Sequence, residues 1–340
     1  MEFEIEQCEA SQEHCNQFMS SGVGNNDTMS ALALLMGTTW LFYWVLSRLF
    51  LFVAILNIIP LMVLMFLYIS SFYAHIYKTW YHIGGDSTSQ VYTASVFERA
   101  RNNIVTAWDL LGKIWFGYEI QGLENLPKEG GAMLVYYHGT IPIDIYFIIS
   151  KIRLECKRSL NLVADRFVYK LHGLKLLWRI FAVTTGNRED CVRILKEGNL
   201  LAIAPGGTRE AYFSGNTYPL MWFQRKGFAQ VTKEAKVPII PVFTQNCREA
   251  FRTPKLGRNI LRWLYEKTRA PLVPIYGGFP VKLKTFIGPP IQWDPQMTVD
   301  DIVQKAHEAV EGLIQKHQKI PGSIRRAFLE RFSTSKDKEE

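Results

Sequence analysis

From Ala31 to Tyr77 the chain is almost wholly apolar, broken by Arg48 and, less sharply, by Asn57 and Pro60. A bilayer span takes about 20 apolar residues, and this stretch holds roughly twice that, so it predicts two transmembrane helices or a membrane hairpin over 31–77. The pattern then changes. Phe97, Ile104, Trp108 and Leu111 recur at helical intervals among charged residues, which predicts an amphipathic connector over 78–117. From Tyr118 onward, strand-length apolar runs alternate with helix-length segments. The predicted strands are Tyr118–Ile120, Ala132–Tyr137, Leu160–Ala164, Phe181–Val183, Leu200–Ala204 and Val237–Phe243, with helices from Ile143, Leu174, Cys191 and Phe228 between them. Such alternation predicts an α/β domain, 118–325, with a largely parallel central sheet flanked by helices. Thr298 and Asp301 resemble an N-terminal cap, and Ile302, Ala306, Val310 and Ile314 form the stripe of a closing helix. Residues 326–340 are left as a tail.

Charge adds direction to this outline. The net charge is +8, yet residues 1–30 hold acids at Glu2, Glu4, Glu6, Glu9, Glu13 and Asp27 and no lysine or arginine. That argues against a cleaved signal peptide and predicts a disordered acidic tail over 1–30. The remainder is more cationic still, which suits an anionic membrane surface or anionic ligands. Trp222-Phe223-Gln224-Arg225-Lys226-Gly227-Phe228 interleaves aromatics and cations, but no nucleic-acid motif accompanies it. A basic face at the lipid interface explains it more simply than nucleic acid does. Cys8, Cys15, Cys156, Cys191 and Cys247 lack metal-ligand spacing, so reduced thiols and no metal site are expected. Two crossings would put both termini in the cytosol. A glycan on Asn26-Asp27-Thr28 would contradict that.

Three blocks carry candidate chemistry. His138 ends the strand Ala132–Tyr137, and Asp144 follows Pro142 in the first turn of the next helix. The pair has the elements of a general base and the carboxylate that fixes its tautomer, although an acid in a first turn is equally explained by the helix's own amides. Ala204-Pro205-Gly206-Gly207-Thr208-Arg209-Glu210 leaves a buried strand through two glycines, whose amides could approach an oxyanion closely. Gly186-Asn187-Arg188-Glu189 repeats the theme at another strand end. There is no G-x-S-x-G elbow, no P-loop and no dinucleotide fingerprint.

The order of these blocks, with Val237-Pro238-Ile239-Ile240-Pro241 after them, resembles the glycerolipid acyltransferase family of PlsC type. The likeness covers about residues 118–286. It implies a membrane-bound O-acyltransferase of the endoplasmic reticulum, multi-pass, with its catalytic domain facing the cytosol. It casts His138 and Asp144 as catalytic, and Arg188, Gly206, Gly207, Arg209 and Glu210 as substrate-binding. It implies no bound cofactor. The acyl donor is a co-substrate, either acyl-CoA or a membrane phospholipid.

Two departures shape the expectation. His138 and Asp144 are separated by one residue more than the family's H-x4-D spacing, so Pro142 has to turn the chain for them to meet. Gly206 stands where enzymes with phosphorylated acceptors carry a glutamate, and Gly-Gly followed by Glu210 is more similar to the diacylglycerol acyltransferase type 2 branch. The resemblance therefore implies a neutral acceptor, diacylglycerol or monoacylglycerol. A lysophospholipid acyltransferase and a catalytically silent lipid-binding membrane protein are the alternatives.

Overall fold

In the computed structural model the apolar N-terminal run is one helix, α1 (Glu2–Trp80). The structure describes residues 2–81, 97–222, 224–255, 257–268 and 273–333, with side chains described from residue 30 apart from 53, 55–60, 63 and 64. The start of the connector, 82–96, and the last residues, 334–340, lie outside the described residues. Two units are distinguished, Met1–Leu56 and Asn57–Glu340.

α1 departs from two expectations. Residues of the acidic tail are helical, and the turn expected inside 31–77 is not formed. The strongest breaker there is Pro60, which removes one intrahelical bond, at about 3 kcal/mol, without a glycine beside it to reverse the chain. Among the described residues one stretch, Ser30–Phe52, is long and apolar enough to cross a membrane, and none of its side chains is buried. The last turns of α1 belong to the second unit and do something else. Ser70, Ser71 and Ala74 are buried there, and Trp108 donates its indole N–H to Ser70 Oγ (3.1 Å).

The second unit alternates as expected. After α2 (Glu98–Phe116) come β1 (Glu119–Gln121), β2 (Ala132–Tyr136), α3 (Ile143–Cys156), β3 (Leu160–Val163), α4 (Lys175–Ile180), β4 (Val183–Thr184), α5 (Arg188–Lys196) and β5 (Leu200–Ile203). Then follow α6 (Gly207–Phe213), α7 (Gly227–Ala235), β6 (Ile239–Gln245), α8 (Cys247–Ala250), β7 (Phe251–Arg252), α9 (Arg258–Thr268), β8 (Tyr276–Gly277) and β9 (Lys284–Ile287). The chain closes on α10 (Val299–His317) and α11 (Ile324–Leu329). The cap at Thr298 and Asp301 is a full capping box. α11 carries the fold past residue 325, where the tail was expected to begin, because Ala327 is buried under it.

Seven strands form the main sheet in the order β1-β9-β6-β2-β5-β3-β4. β2, β3, β4, β5 and β6 are mutually parallel, while β9 meets β6 antiparallel and takes β1 with it. β2 is central and wholly buried, which is why its sequence is apolar without alternation. Its side chains still divide by face. Leu134 and Tyr136 join the cluster with Trp108 and Ile148 from α2 and α3, whereas Met133 and Val135 join the one with Val192, Phe228 and Ala306 from α5, α7 and α10. Helices therefore cover both faces, and the carboxyl ends of β2, β4 and β5 open toward one edge of the sheet, where ligands of parallel sheets are commonly held.

Candidate active site

His138 leaves the end of β2 through two fixed hydrogen bonds. Its backbone N–H donates to Glu210 Oε1 (2.9 Å), and its ring Nδ1 lies 2.7 Å from the carbonyl oxygen of Gly139. A carbonyl can only accept, so Nδ1 carries the hydrogen and Nε2 is left with the lone pair. Gly139 is needed for this path, since a Cβ there would lie 3.3 Å from Cys247 Cβ.

Glu210 is the centre of the second block. It is fully buried, and its carboxylate joins two loops: Oε1 accepts from His138 and Oε2 from the backbone N–H of Met221 (2.8 Å). Gly206 makes room for it, because a Cβ at 206 would sit 2.3 Å from Glu210 Cδ. Gly207 has φ +50°, and a Cβ there would stand 2.6 Å from Arg225 Nη1. That guanidinium donates to the carbonyls of Pro205 (2.9 Å) and Gly206 (3.0 Å). Of the two amides expected to face an oxyanion, that of Gly207 donates to Ala204 O (3.0 Å) and closes the turn. Arg248, buried, donates to the carbonyls of Glu210 (3.1 Å) and Ala211 (3.3 Å). Both carboxylate oxygens of Glu210 thus hold main-chain amides.

The expected partner of His138 is Asp144. Pro142 does turn the chain, with φ −79°, ψ 60° and an Ile143 N to Ile141 O bond of 2.8 Å, the geometry of an inverse γ-turn. α3 starts at Ile143, so Pro142 caps it instead of opening it. Yet no hydrogen bond or ion pair joins His138 to Asp144 among the described residues. Asp144 is buried, and its Oδ1 has no hydrogen-bond partner, as is true of the nearby Thr140 Oγ1. Thr244 stands beside the carboxyl. Behind it runs a chain of hydroxyls, with Thr244 Oγ1 2.9 Å from Thr285 Oγ1 and Tyr118 OH donating to Thr285 Oγ1 (2.9 Å).

The two arginines of the motif blocks are engaged with carboxylates of the chain. Arg188 opens α5 and pairs with Glu234 of α7 (2.7 Å), the side chains 58% and 44% exposed. Arg209 pairs with Glu266 of α9 (2.6 Å) in a more sheltered setting. The run Trp222–Phe228 is corrected as well. Trp222 and Phe228 are core residues rather than surface aromatics, while Arg225 and Lys226 are exposed, Lys226 pairing with Asp300 (2.5 Å) and Arg225 donating to the carbonyls already described. Phe223 lies outside the described residues. Arg225 and Arg248 were not among the expected site residues. Their signal in the sequence was weak, because an arginine bound to main-chain carbonyls reads like any surface cation.

Burial sets the electrostatics. It pushes the His138 imidazolium down to about 4, with the Gly139 carbonyl opposing and Arg248 and Arg225 adding to it, so the ring is neutral at pH 7. Burial raises Asp144 to about 6 against the Thr244 hydroxyl and the first amides of α3, and raises Glu210 to about 7 against its two amide donors. Among the described residues no group of three His, Cys, Asp or Glu converges as metal ligands do.

An acyltransferase family profile matches residues 117–245, which includes all three blocks. The chain is 44% identical over 328 residues to a Bos taurus protein described as "DGAT1/2-independent enzyme synthesizing storage lipids", covering 93% of this chain and 96% of that one. It is 48% identical over 278 residues to the Homo sapiens protein of the same description, covering 82% and 84%. Among solved structures, the 1-acyl-sn-glycerophosphate acyltransferase PlsC of Thermotoga maritima aligns at 16% identity and a TM-score of 0.46, over 73% of this chain and 95% of that one. On the strength of relatives matched along nearly their whole length, this chain belongs to the acyltransferase family of glycerolipid, PlsC-like type.

Proposed function

We propose that the protein transfers a fatty acyl group to the hydroxyl of a neutral acylglycerol, converting diacylglycerol to triacylglycerol or monoacylglycerol to diacylglycerol. The observation that carries the base assignment is the His138 tautomer: Nδ1–H is committed to Gly139, and Nε2 holds the lone pair that takes a proton. In the step, Nε2 removes the acceptor's hydroxyl proton while that oxygen bonds to the donor's carbonyl carbon. The tetrahedral oxyanion then collapses, the bond to the donor's leaving group breaks, and the imidazolium returns its proton to that group. No acyl-enzyme is needed.

The acceptor class rests on Gly206 and on the relatives. A larger side chain at 206 would collide with Glu210, so the position that carries a carboxylate in enzymes with phosphorylated acceptors is reduced to a hydrogen here. The curated relatives are named for storage-lipid synthesis, which matches a neutral product. The donor, acyl-CoA or a phospholipid, is anionic, and Arg209 and Arg188 are its proposed contacts, in exchange with Glu266 and Glu234. The site is proposed to act at the cytosolic face of the endoplasmic reticulum membrane, held by the N-terminal apolar helix. The open His138–Asp144 pair favours one competing reading, a lipid-binding membrane protein without catalysis.

One experiment separates them. Membranes carrying the wild type or His138→Ala are given labelled acyl donor with diacylglycerol, monoacylglycerol or lysophosphatidate. Triacylglycerol formed by the wild type alone is the expected result. Equal product from both proteins would end the catalytic reading, and product from lysophosphatidate only would replace the acceptor.

A further inference from the structure

α2 is amphipathic in the ordinary sense on its inner side, where Ile104, Trp108 and Gly112 are buried. Its outer side near the C-terminus is not polar as expected. Leu110 and Ile114, four residues apart, are 56% and 62% exposed, and Trp115 stands beside them. α11 repeats the anomaly at the other end of the domain sequence, with Ala327 turned in and Phe328, Leu329 and Phe332 turned out.

The two anomalies are one place. Arg331 ties them, donating to the carbonyls of Trp115 (2.5 Å), Ile114 and Pro280 (3.3 Å), while the Lys282 N–H donates to Ala327 O (2.9 Å). Six large apolar side chains exposed together form a patch rather than the scattered single residues any surface carries. Its surroundings are cationic. Lys319 and Arg325 lie exposed around it, and Lys113 beside them is paired with Asp109. The neighbouring acids are held by other partners: Asp109 by Lys113 and Lys151, Glu119 by Lys282 and Lys284, and Glu330 by Asn246 and Gln245.

We propose that this joined face of α2 and α11 docks on an anionic phospholipid surface, as an attachment separate from the Ser30–Phe52 helix. Aromatic and aliphatic side chains enter the headgroup boundary, and the ring of cations meets lipid phosphates and carboxylates. A second copy of the chain fits less well, because a symmetric contact would set these cations against themselves. The proposal depends on neither the acceptor nor the base assigned above.

The test uses full-length protein in nanodiscs, with an environment-sensitive fluorophore at Phe332→Cys in a Cys8→Ser, Cys15→Ser, Cys156→Ser background. A label at Lys128→Cys serves as the control position. In discs of about three parts phosphatidylcholine to one phosphatidylserine, the Phe332→Cys label is expected to shift blue and to be quenched by brominated acyl chains, and the control label to do neither. Adding Lys319→Glu and Arg325→Glu is expected to return the label to its emission in neutral discs without lowering the melting temperature. Emission that is the same in neutral and anionic discs, or that ignores the charge reversal, would overturn the proposal. So would a blue shift that appears only when two copies share a disc, which would assign the face to self-association.

Discussion

The turn after β5 and the turn after β4 are built from the same kinds of residue, and they do opposite things. Each leaves a parallel strand through glycine and then presents an arginine and a glutamate, Gly206 to Glu210 in one case and Gly186 to Glu189 in the other. After β5 the glutamate is fully buried, holds the amides of His138 and Met221, and has the buried Arg248 on its own helix's carbonyls. After β4 the arginine meets Glu234 in water, an ion pair of about 0–1 kcal/mol. What separates them is the neighbour: a motif gains chemical weight where the fold removes its charge from solvent and gives it a second loop to hold.

The comparison is broken most severely at Glu210. Glu210→Ala leaves two buried amides unpaired, each costing about 1–3 kcal/mol, and is expected to lower the melting temperature by several degrees and to abolish acyl transfer. Thermal melts and activity on the same preparation check this, and an active, unshifted variant would show that the His138 loop needs no such clamp. Gly206→Ala comes next. Its Cβ would meet the Glu210 carboxyl at 2.3 Å, so the carboxylate must move and His138 with it. A misplaced catalytic group costs on the order of 100-fold in kcat/KM, with a smaller change in stability than Glu210→Ala produces.

Asp144 supplies a prediction in which stability and activity diverge. Its folded pKa of about 6 lies above the unfolded 3.8, so the stability it contributes is present at low pH and lost as pH rises through about 6. Asp144→Asn is therefore expected to raise the melting temperature at pH 8 by the equivalent of about 2–3 kcal/mol and to change it little at pH 4. If the carboxylate orients His138 during the reaction, the acid limb of kcat/KM falls near pH 6 and vanishes with the substitution. A limb near 4 that persists in the variant would leave His138 acting alone. The smallest effect is expected at the β4 turn, where Arg188→Ala should move stability by less than about 0.5 kcal/mol and raise KM for the donor without changing kcat. A fall in kcat there would restore that turn to equal standing with its counterpart.

Much of this fold was legible. Alternating apolar runs gave the parallel strands within a few residues, because strands buried on both faces leave a continuous signal, and the capping box at Thr298 and Asp301 was visible as spacing. His138 and Gly206 stand just past strand ends, and Glu210 follows in the first turn of α6, so their positions were readable from the strand pattern. The reversed strand β9 could not, since Lys284-Thr285-Phe286-Ile287 is short, mixed in polarity, and defined by a partner some forty residues away. The course of α1 was misread for a related reason. Length suggests crossings, but whether a serine such as Ser70 faces lipid or Trp108 depends on contacts that no local pattern encodes. Arg225 and Arg248 escaped because their acceptors are main-chain carbonyls, which every sequence offers equally.

The antiparallel seam between β6 and β9 also bears on the buried carboxyl of Asp144. Tyr118 donates its O–H to Thr285, which leaves the Thr285 hydroxyl able to donate to Thr244, and Thr244 to donate toward Asp144. Three dipoles aligned head to tail reach from the outermost strand to the heart of the molecule, so the sheet's far margin helps decide whether that acid is charged. Changing Thr285 to Val would interrupt the alignment midway, at a position that touches neither lipid nor imidazole.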